Sequence, residues 1–345
     1  MKTKALLVAL SVICFATASR AQQKFNVQNG TKTEFYDDLE TAIQKAVSGD
    51  TIYLPGKIIQ VQNDVIIDKK LAIIGAGCDV DSVGGLQTTE IKKSDGFLAM
   101  MNFRNGSDGS LLMGCIVGDI QFGHNNEYNE PQQNIQNVTI FRNKIGSINL
   151  AVAVSNDQVV KNIFIKENQI GGFINGFGIG ATDCWITNNL VYAIGYGTSN
   201  LNFYNNVISG FINSAIDCRF ENNFINSFLI SGSFDNCIFN NNAFATSFTF
   251  PFGNNSGSNN LMDQTPQQTF GVDDLSLPKN LKILATSPCK NAGTDGTDIG
   301  IFGGPAPYKA GAVPFNPHIT RSSIVGYTDK DGKLKVNIQV SAQTR

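Results

Sequence analysis

The sequence predicts an all-β solenoid, a single stack of short strands wound rung upon rung, and three observations carry that prediction. One pattern is written six times between residues 138 and 244, as VTIFRNKI, IFIKENQI, CWITNNLV, LNFYNNVI, CRFENNFI and CIFNNNAF. Each copy has apolar residues at positions 1, 3 and 8 and an asparagine at position 6, namely Asn143, Asn168, Asn189, Asn206, Asn223 and Asn242. The interval between these asparagines runs 25, 21, 17, 17 and 19 residues, so a fixed rung is joined by loops of varying length. Like residues at like positions would stack along the axis, which accounts for 24 Phe against one Trp.

The elements follow in chain order. Lys2 and Lys4 precede an apolar run from Ala5 to Phe15, and Ser19-Arg20-Ala21 offers a small-residue cleavage site. Residues 1–21 read as a secretory signal peptide, with export to the periplasm, cell surface or medium as the expected destination. Ile13 before Cys14 is a poor lipoprotein signal. Asp37 and Asp38 then precede Leu39, Ala42, Ile43, Ala46 and Val47, apolar at helical spacing, which predicts a short amphipathic helix ending near Gly49 and capping the open end of the stack. Brief β-branched runs follow at residues 50–56, 65–68 and 71–77. Residues 86–135 read as early rungs carrying insertions, with apolar stretches at 97–103 and 111–122.

In the regular rungs, positions 1, 3 and 8 are expected to point inward. The fifth residue after each asparagine is apolar again (Ile148, Phe173, Ile194, Phe211, Phe228) and is expected to fill the core beyond a small-residue corner such as Gly171-Gly172. The solenoid with its cap spans 22–262. Residues 263–318, rich in Pro and Gly, are expected to form an extended segment lying on it, and 319–345 a terminal β-hairpin turning at Asp331-Gly332.

Buried asparagines at a corner can pair their amides along the axis and satisfy turn backbone groups. A second polar row precedes each rung, Asn137, Asn162, Asp183, Asn200, Asp217 and Asn236, and reads as turn formation at the strand start. Cysteines remain at 78, 115, 184, 218, 237 and 289; Cys184, Cys218 and Cys237 fall in core-facing position 1 and read as small buried hydrophobes, with a bridge between the rung neighbours Cys218 and Cys237 left open. A net charge of -2 with 16% charged residues and no basic run argues against nucleic acid or anionic membrane as partner. No later stretch is long enough and apolar enough to suggest a membrane span.

The helix followed by GDTIYLPG, the LAIIGAG strand and the V-x-I-x-x-N-x-I rungs resemble the right-handed parallel β-helix of the pectin lyase-like superfamily. The tail SPCKNAGTDGTDIGIFGG followed by PFNPHI resembles that of secreted β-helix proteins from Bacteroidetes-type bacteria. The resemblance implies the fold over nearly the whole mature chain. For activity it spans polysaccharide lyases, glycoside hydrolases, esterases, adhesins and non-catalytic members, so it selects no chemistry. It implies, for a catalytic member, carboxylates clustered on neighbouring rungs beside Arg or Lys, with calcium as the cofactor to look for.

Asp183 and Asp217 share a row two rungs apart, which places their backbones roughly 10 Å from each other; that is long for an inverting pair of carboxylates. The outward positions carry more. Position 2 reads Phe164, Trp185, Asn202, Arg219, and position 4 reads Phe141, Lys166, Thr187, Tyr204, Glu221. Phe141, Phe164, Trp185 and Tyr204 thus share one sheet face beside Lys166, Arg219 and Glu221, a surface suited to stacking sugar rings. The competing expectation is that residues 263–318 fold back over this face and bury it. The loop at 121–133 contains His124, Glu127, Tyr128 and Glu130 and reads as a solvated surface loop, with an acid–base set or a weak metal site as the alternative; it has too few His or Cys for zinc, and His318 gives no triad. Gly75 to Val80 lacks the rest of a dinucleotide fingerprint, and Asp329, Asp331, Asp295 and Asp298 read as turn residues. The sequence therefore points to an exported polysaccharide-binding β-helix, with a lyase or glycosidase and a structural or adhesive rod as the other readings.

Overall fold

The computed structural model describes residues 24–79, 87–123, 133–150, 159–176, 181–228, 233–309 and 318–341. The signal peptide expected at 1–21 and the loop residues His124, Glu127, Tyr128 and Glu130 lie outside the described residues.

The chain forms a parallel β-helix. Positions 1–4 of each rung belong to one twelve-stranded sheet (sheet 1), in which Thr139–Phe141, Phe164–Lys166, Cys184–Thr187, Leu201–Tyr204, Arg219–Glu221, Ile238–Asn240 and Ser256–Ser258 pair in parallel in chain order. After a corner the chain enters a second large sheet (sheet 2) containing Lys144–Ile145, Gln169–Asn175, Leu190–Ile194, Val207–Ile212, Phe224–Phe228 and Ala243–Phe244. Positions 1, 3 and 8 are buried in all six rungs, so the repeat reads the interior as expected. In-register pairing stacks like on like: Phe203 lies on Phe220 at 4.7 Å and Phe220 on Phe239 at 4.9 Å, rings nearly parallel. Phe228, Phe248 and Phe252 pack about the last rungs and close the lower end of the core.

One core row differs from expectation. The inward residues of sheet 2 are Ile148, Ile174, Ile194, Ile212 and Phe228, which pair in register, whereas Phe173 and Phe211 are only half-buried. The register shifts between Ile170 and Phe173 and between Ile208 and Phe211. Each bulge, at Gly171-Gly172 and Ser209-Gly210, adds a residue and turns the next side chain outward. Phe173 and Phe211 consequently meet Tyr192 edge to face on the outside, with centroids at 6.0 and 6.2 Å.

The upper end is closed by a helix at Leu39–Lys45, whose first turn is capped by the Asp38 carboxylate accepting from Thr41 N at 2.7 Å. It stops before the expected Gly49 because Asp50 Oδ2 takes the Val47 N–H at 2.8 Å, and Val47 stays exposed. Beside the helix, Phe25–Asn29 and Lys32–Tyr36 form an antiparallel hairpin that also pairs with Thr51–Tyr53, so the first rung has no open edge. The terminal hairpin joins His318–Thr328 to Leu334–Ser341 around a turn in which Asp329 N donates to Lys333 O at 2.8 Å. Among the described residues no helix is long and apolar enough to cross a membrane.

Candidate functional site

Two rows of left-handed residues fix how each rung presents its side chains. The residues before position 1 (Asn137, Asn162, Asp183, Asn200, Asp217, Asn236) have φ between 51° and 60°, as do those at position 5 (Arg142, Glu167, Asn188, Asn205, Asn222, Asn241). Asn and Asp tolerate this conformation best, which accounts for most of both rows. Asp183 and Asp217 are therefore turn residues: both are exposed, Asp183 lies 3.4 Å from Lys161 Nζ, and Asp217 Oδ1 accepts from Asn236 Nδ2 at 2.6 Å.

Position 6 is the interior ladder. Each Nδ2 donates to the next rung's Oδ1, from Asn143 to Asn168 at 3.2 Å through Asn223 to Asn242 at 3.0 Å. The ladder extends one step past the six repeats, to Asn260 at 3.1 Å. Each ladder Oδ1 also accepts a backbone N–H from one rung earlier, Cys115 N for Asn143 at 3.0 Å and the preceding ladder asparagine thereafter, as Asn189 Oδ1 accepts from Asn168 N at 2.8 Å. Buried amides are thereby fully used in holding the corner.

Position 5 faces the other way and binds the C-terminal segment. Asn241 Nδ2 donates to Ala292 O at 2.9 Å, Asn222 Nδ2 to Thr294 Oγ1 at 3.1 Å, and Asn188 Nδ2 to Ile301 O and Gly303 O at 3.0 and 2.9 Å. Lys309 N donates to Glu167 Oε2 at 3.2 Å. The segment thus climbs against the direction of the rungs. Gly303 sits so close that a Cβ there would meet Asn205 Nδ2 at 2.6 Å and Asp298 O at 1.7 Å. Beneath it lies an apolar row at position 7, Leu190, Val207, Phe224 and Ala243, packed with Phe270, Leu281, Ile299, Ile301 and Tyr308 as a second core. At the upper end, Arg142 Nε pairs with Glu167 Oε2 at 2.9 Å, both side chains buried. Burial pushes the nearby Tyr308 phenol up.

Over its described residues up to Lys309, the C-terminal segment departs from the expectation that it covers the aromatic face. The described part of the segment follows the position-7 row because apolar Leu190, Val207 and Phe224 point outward there, and it binds backbone to the position-5 asparagines. The sheet 1 face bearing Trp185 stays open: Trp185 is 39% exposed.

On that face the register is the one read from the sequence, with Phe164 beside Trp185, Trp185 beside Asn202, Asn202 beside Arg219, and Lys166, Thr187, Tyr204 and Glu221 in the parallel row. Trp185 and Tyr204 stack diagonally with centroids 5.6 Å apart and planes 16° apart. Phe141 and Phe164 are half-buried on the earlier rungs, with Lys166 Nζ 6.0 Å over the Phe141 ring. Arg219 Nε donates to Glu221 Oε1 at 2.7 Å, and Asn240 Nδ2 donates to the same oxygen at 3.2 Å. That bond raises the Arg219 pKa, and desolvation, together with Glu221, raises that of Tyr204 against the opposing pull of Arg219. Glu221 is buried and holds the guanidinium beside the aromatic pair. The face combines stacked aromatic rings with a fixed cation and amides. Asp183 and Asp217 lie outside it, in the turns.

The six cysteines among the described residues are all buried free thiols. Burial pushes Cys78 and Cys184 up to about 12. Among the described residues, no group of three or more His, Cys, Asp or Glu side chains is placed to hold a metal ion. Compared with protein-family models, with curated proteins and with solved structures, the chain matches none.

Proposed function

We propose that the protein is an exported, polysaccharide-binding β-helix whose binding surface is the outer face of sheet 1 around Trp185 and Tyr204. The observation that carries this reading is a stacked aromatic pair, Trp185 exposed and Tyr204 half-buried, beside a C-terminal segment whose described residues pack along the adjoining corner. Exposed aromatic faces that the fold does not cover mark interaction surfaces, and sugar rings present apolar CH faces to them. Arg219, Asn202 and Lys166 supply hydroxyl-directed donors at the edge. The two rings cover one face of each other, so a sugar ring stacks on the remaining faces or edges.

Binding is favoured over cleavage because Glu221 Oε1 is engaged by both Arg219 and Asn240, and the Asp183–Asp217 pair lies in exposed turns. Retention on a panel of neutral and acidic polysaccharides, with and without calcium, tests the reading. Wild type should be retained and W185A retained less. New unsaturated products or reducing ends, lost together on changing Lys166, Arg219 and Glu221, would replace binding with catalysis. Unchanged retention of W185A would overturn the Trp185 surface, and a wild type retained by no member of the panel would leave the structural rod.

A further inference from the structure

One corner of the early solenoid is enlarged. Between the strands Ile58–Val61 and Val65–Ile67 the corner is residues 62–64, and between Cys115–Val117 and Ile120–Phe122 it is 118–119. On the rung between them, from Thr89–Lys93 to Met101–Phe103, it is 94–100. Insertions on single solenoid rungs map to loops that commonly carry binding. This one is tightly built: Lys93 N donates to Phe97 O at 2.8 Å, Gly96 N to Lys93 O at 2.9 Å, and Phe97 N to Asp95 Oδ1 at 3.0 Å, while Lys92 bridges Leu98. Its product is an aromatic ring in water, Phe97, 73% exposed.

The ring borders a groove of about 630 Å³ lined by Asp64, Glu90, Lys92, Lys93, Gly118 and Asp119. The groove is shallow and largely open, which suits one sugar residue lying on the surface better than an enclosed ligand. Lys92 Nζ lies 3.1 Å from Glu90 Oε1, and Lys93 Nζ lies 3.5 Å from Asp64 Oδ1. Asp119 Oδ1 accepts from Ser147 N at 2.8 Å. The ion pairs hold their own donors and acceptors in place while remaining reachable, each side chain about a quarter to a third exposed. Two ammonium groups against three carboxylates leave a slight negative excess, which disfavours an acidic ligand.

We infer that this groove is a second saccharide-binding site, taking a neutral sugar residue with its CH face on Phe97 and its hydroxyls on the Glu90–Lys92 and Asp64–Lys93 pairs. Aromatic contact supplies the apolar surface, and fixed polar pairs supply orientation without ordering cost. The site faces outward from sheet 2 and does not depend on the Trp185 surface.

Calorimetric titration with neutral oligosaccharides of glucan, mannan, galactan and xylan type, and with uronate and sulfated oligosaccharides, tests it. The expected result is binding of a neutral member that persists in W185A, where the sheet 1 surface is removed and this groove is read alone, and that is weakened about tenfold or more when F97A is added to that background. E90Q, which preserves the shape of the groove, should weaken the same ligand. The inference is overturned if no neutral oligosaccharide binds, if acidic ones bind as tightly, or if F97A and E90Q leave binding in the W185A background unchanged. Loss of all binding in W185A alone would assign saccharide recognition to the Trp185 face only. Because Phe97 is exposed, the F97A melting curve should match that of wild type.

Discussion

Asn188 and Asn189 are adjacent in the chain and serve opposite sides of the coil wall. Asn189 Nδ2 bonds Ile165 O and the Asn206 amide inside, at 2.9 and 3.1 Å, while Asn188 Nδ2 bonds Ile301 O and Gly303 O of the C-terminal segment outside. Their replacement should therefore have different consequences. Asn189→Ala strips the Asn168 N–H of its acceptor and the Ile165 carbonyl of its donor within the core. At about 1–3 kcal/mol for each buried group left unsatisfied, it should cost about 3 kcal/mol or more in a denaturant titration. Asn188→Gly keeps the left-handed backbone and loses two bonds, so about 1–2 kcal/mol is expected. Its sharper readout is earlier protease cleavage within residues 289–309.

The Arg142–Glu167 pair is buried, and both residues hold left-handed backbone where other rungs place Asn. Glu167→Ala leaves a buried guanidinium without this partner and should cost about 3–5 kcal/mol, whereas replacing both side chains by apolar ones of similar volume should cost much less. A double-mutant cycle by thermal melting checks this.

Phe224 lies on the outside of the solenoid coil yet is buried against Phe270, centroids 4.7 Å apart. Phe224→Ala should cost about 3–5 kcal/mol, as at a true core position. Hydrogen exchange should then rise along residues 263–309 before the ladder rungs respond.

Burial raises the thiol pKa of Cys78 and Cys184 from 9.0 to about 12. The sign follows from proton counts. Between these values the unfolded chain has released protons that the native chain retains, so raising pH favours unfolding. Stability should be level with respect to these groups below pH 9 and fall between about pH 9 and 12. Cys78→Ala and Cys184→Ala together should flatten that fall in melting temperatures recorded against pH.

The repeat made the interior legible because positions 1, 3, 6 and 8 face a core that tolerates few residue types. The same six copies also held the docking rail, as the doublets Asn188-Asn189, Asn205-Asn206, Asn222-Asn223 and Asn241-Asn242, with apolar Leu190, Val207 and Phe224 after them. These outward positions vary in the first two copies, where Arg142, Glu167, Lys144 and Gln169 stand, so the pattern looks free when all six are averaged. The outward turn of Phe173 and Phe211 was not legible, since a bulge shifts facing by one residue without changing the apolar spacing. Phe97 stood within an apolar stretch, and only its tight turn shows that it faces water. The aromatic row of sheet 1 was legible in register, and its exposure depended on where a segment some 100 residues away, from Pro266 to Lys309, comes to lie.

Trp185 is the chain's one tryptophan, so its emission reports on the proposed surface alone. Titrating polysaccharides while exciting at a wavelength that tyrosine does not absorb tests the central claim most directly. A saturable shift or quench is predicted for the glycan that the protein retains, with a midpoint matching that retention and weakened by Tyr204→Ala. An emission spectrum unchanged at saturation by a retained glycan would contradict the claim that Trp185 and Tyr204 form the binding surface.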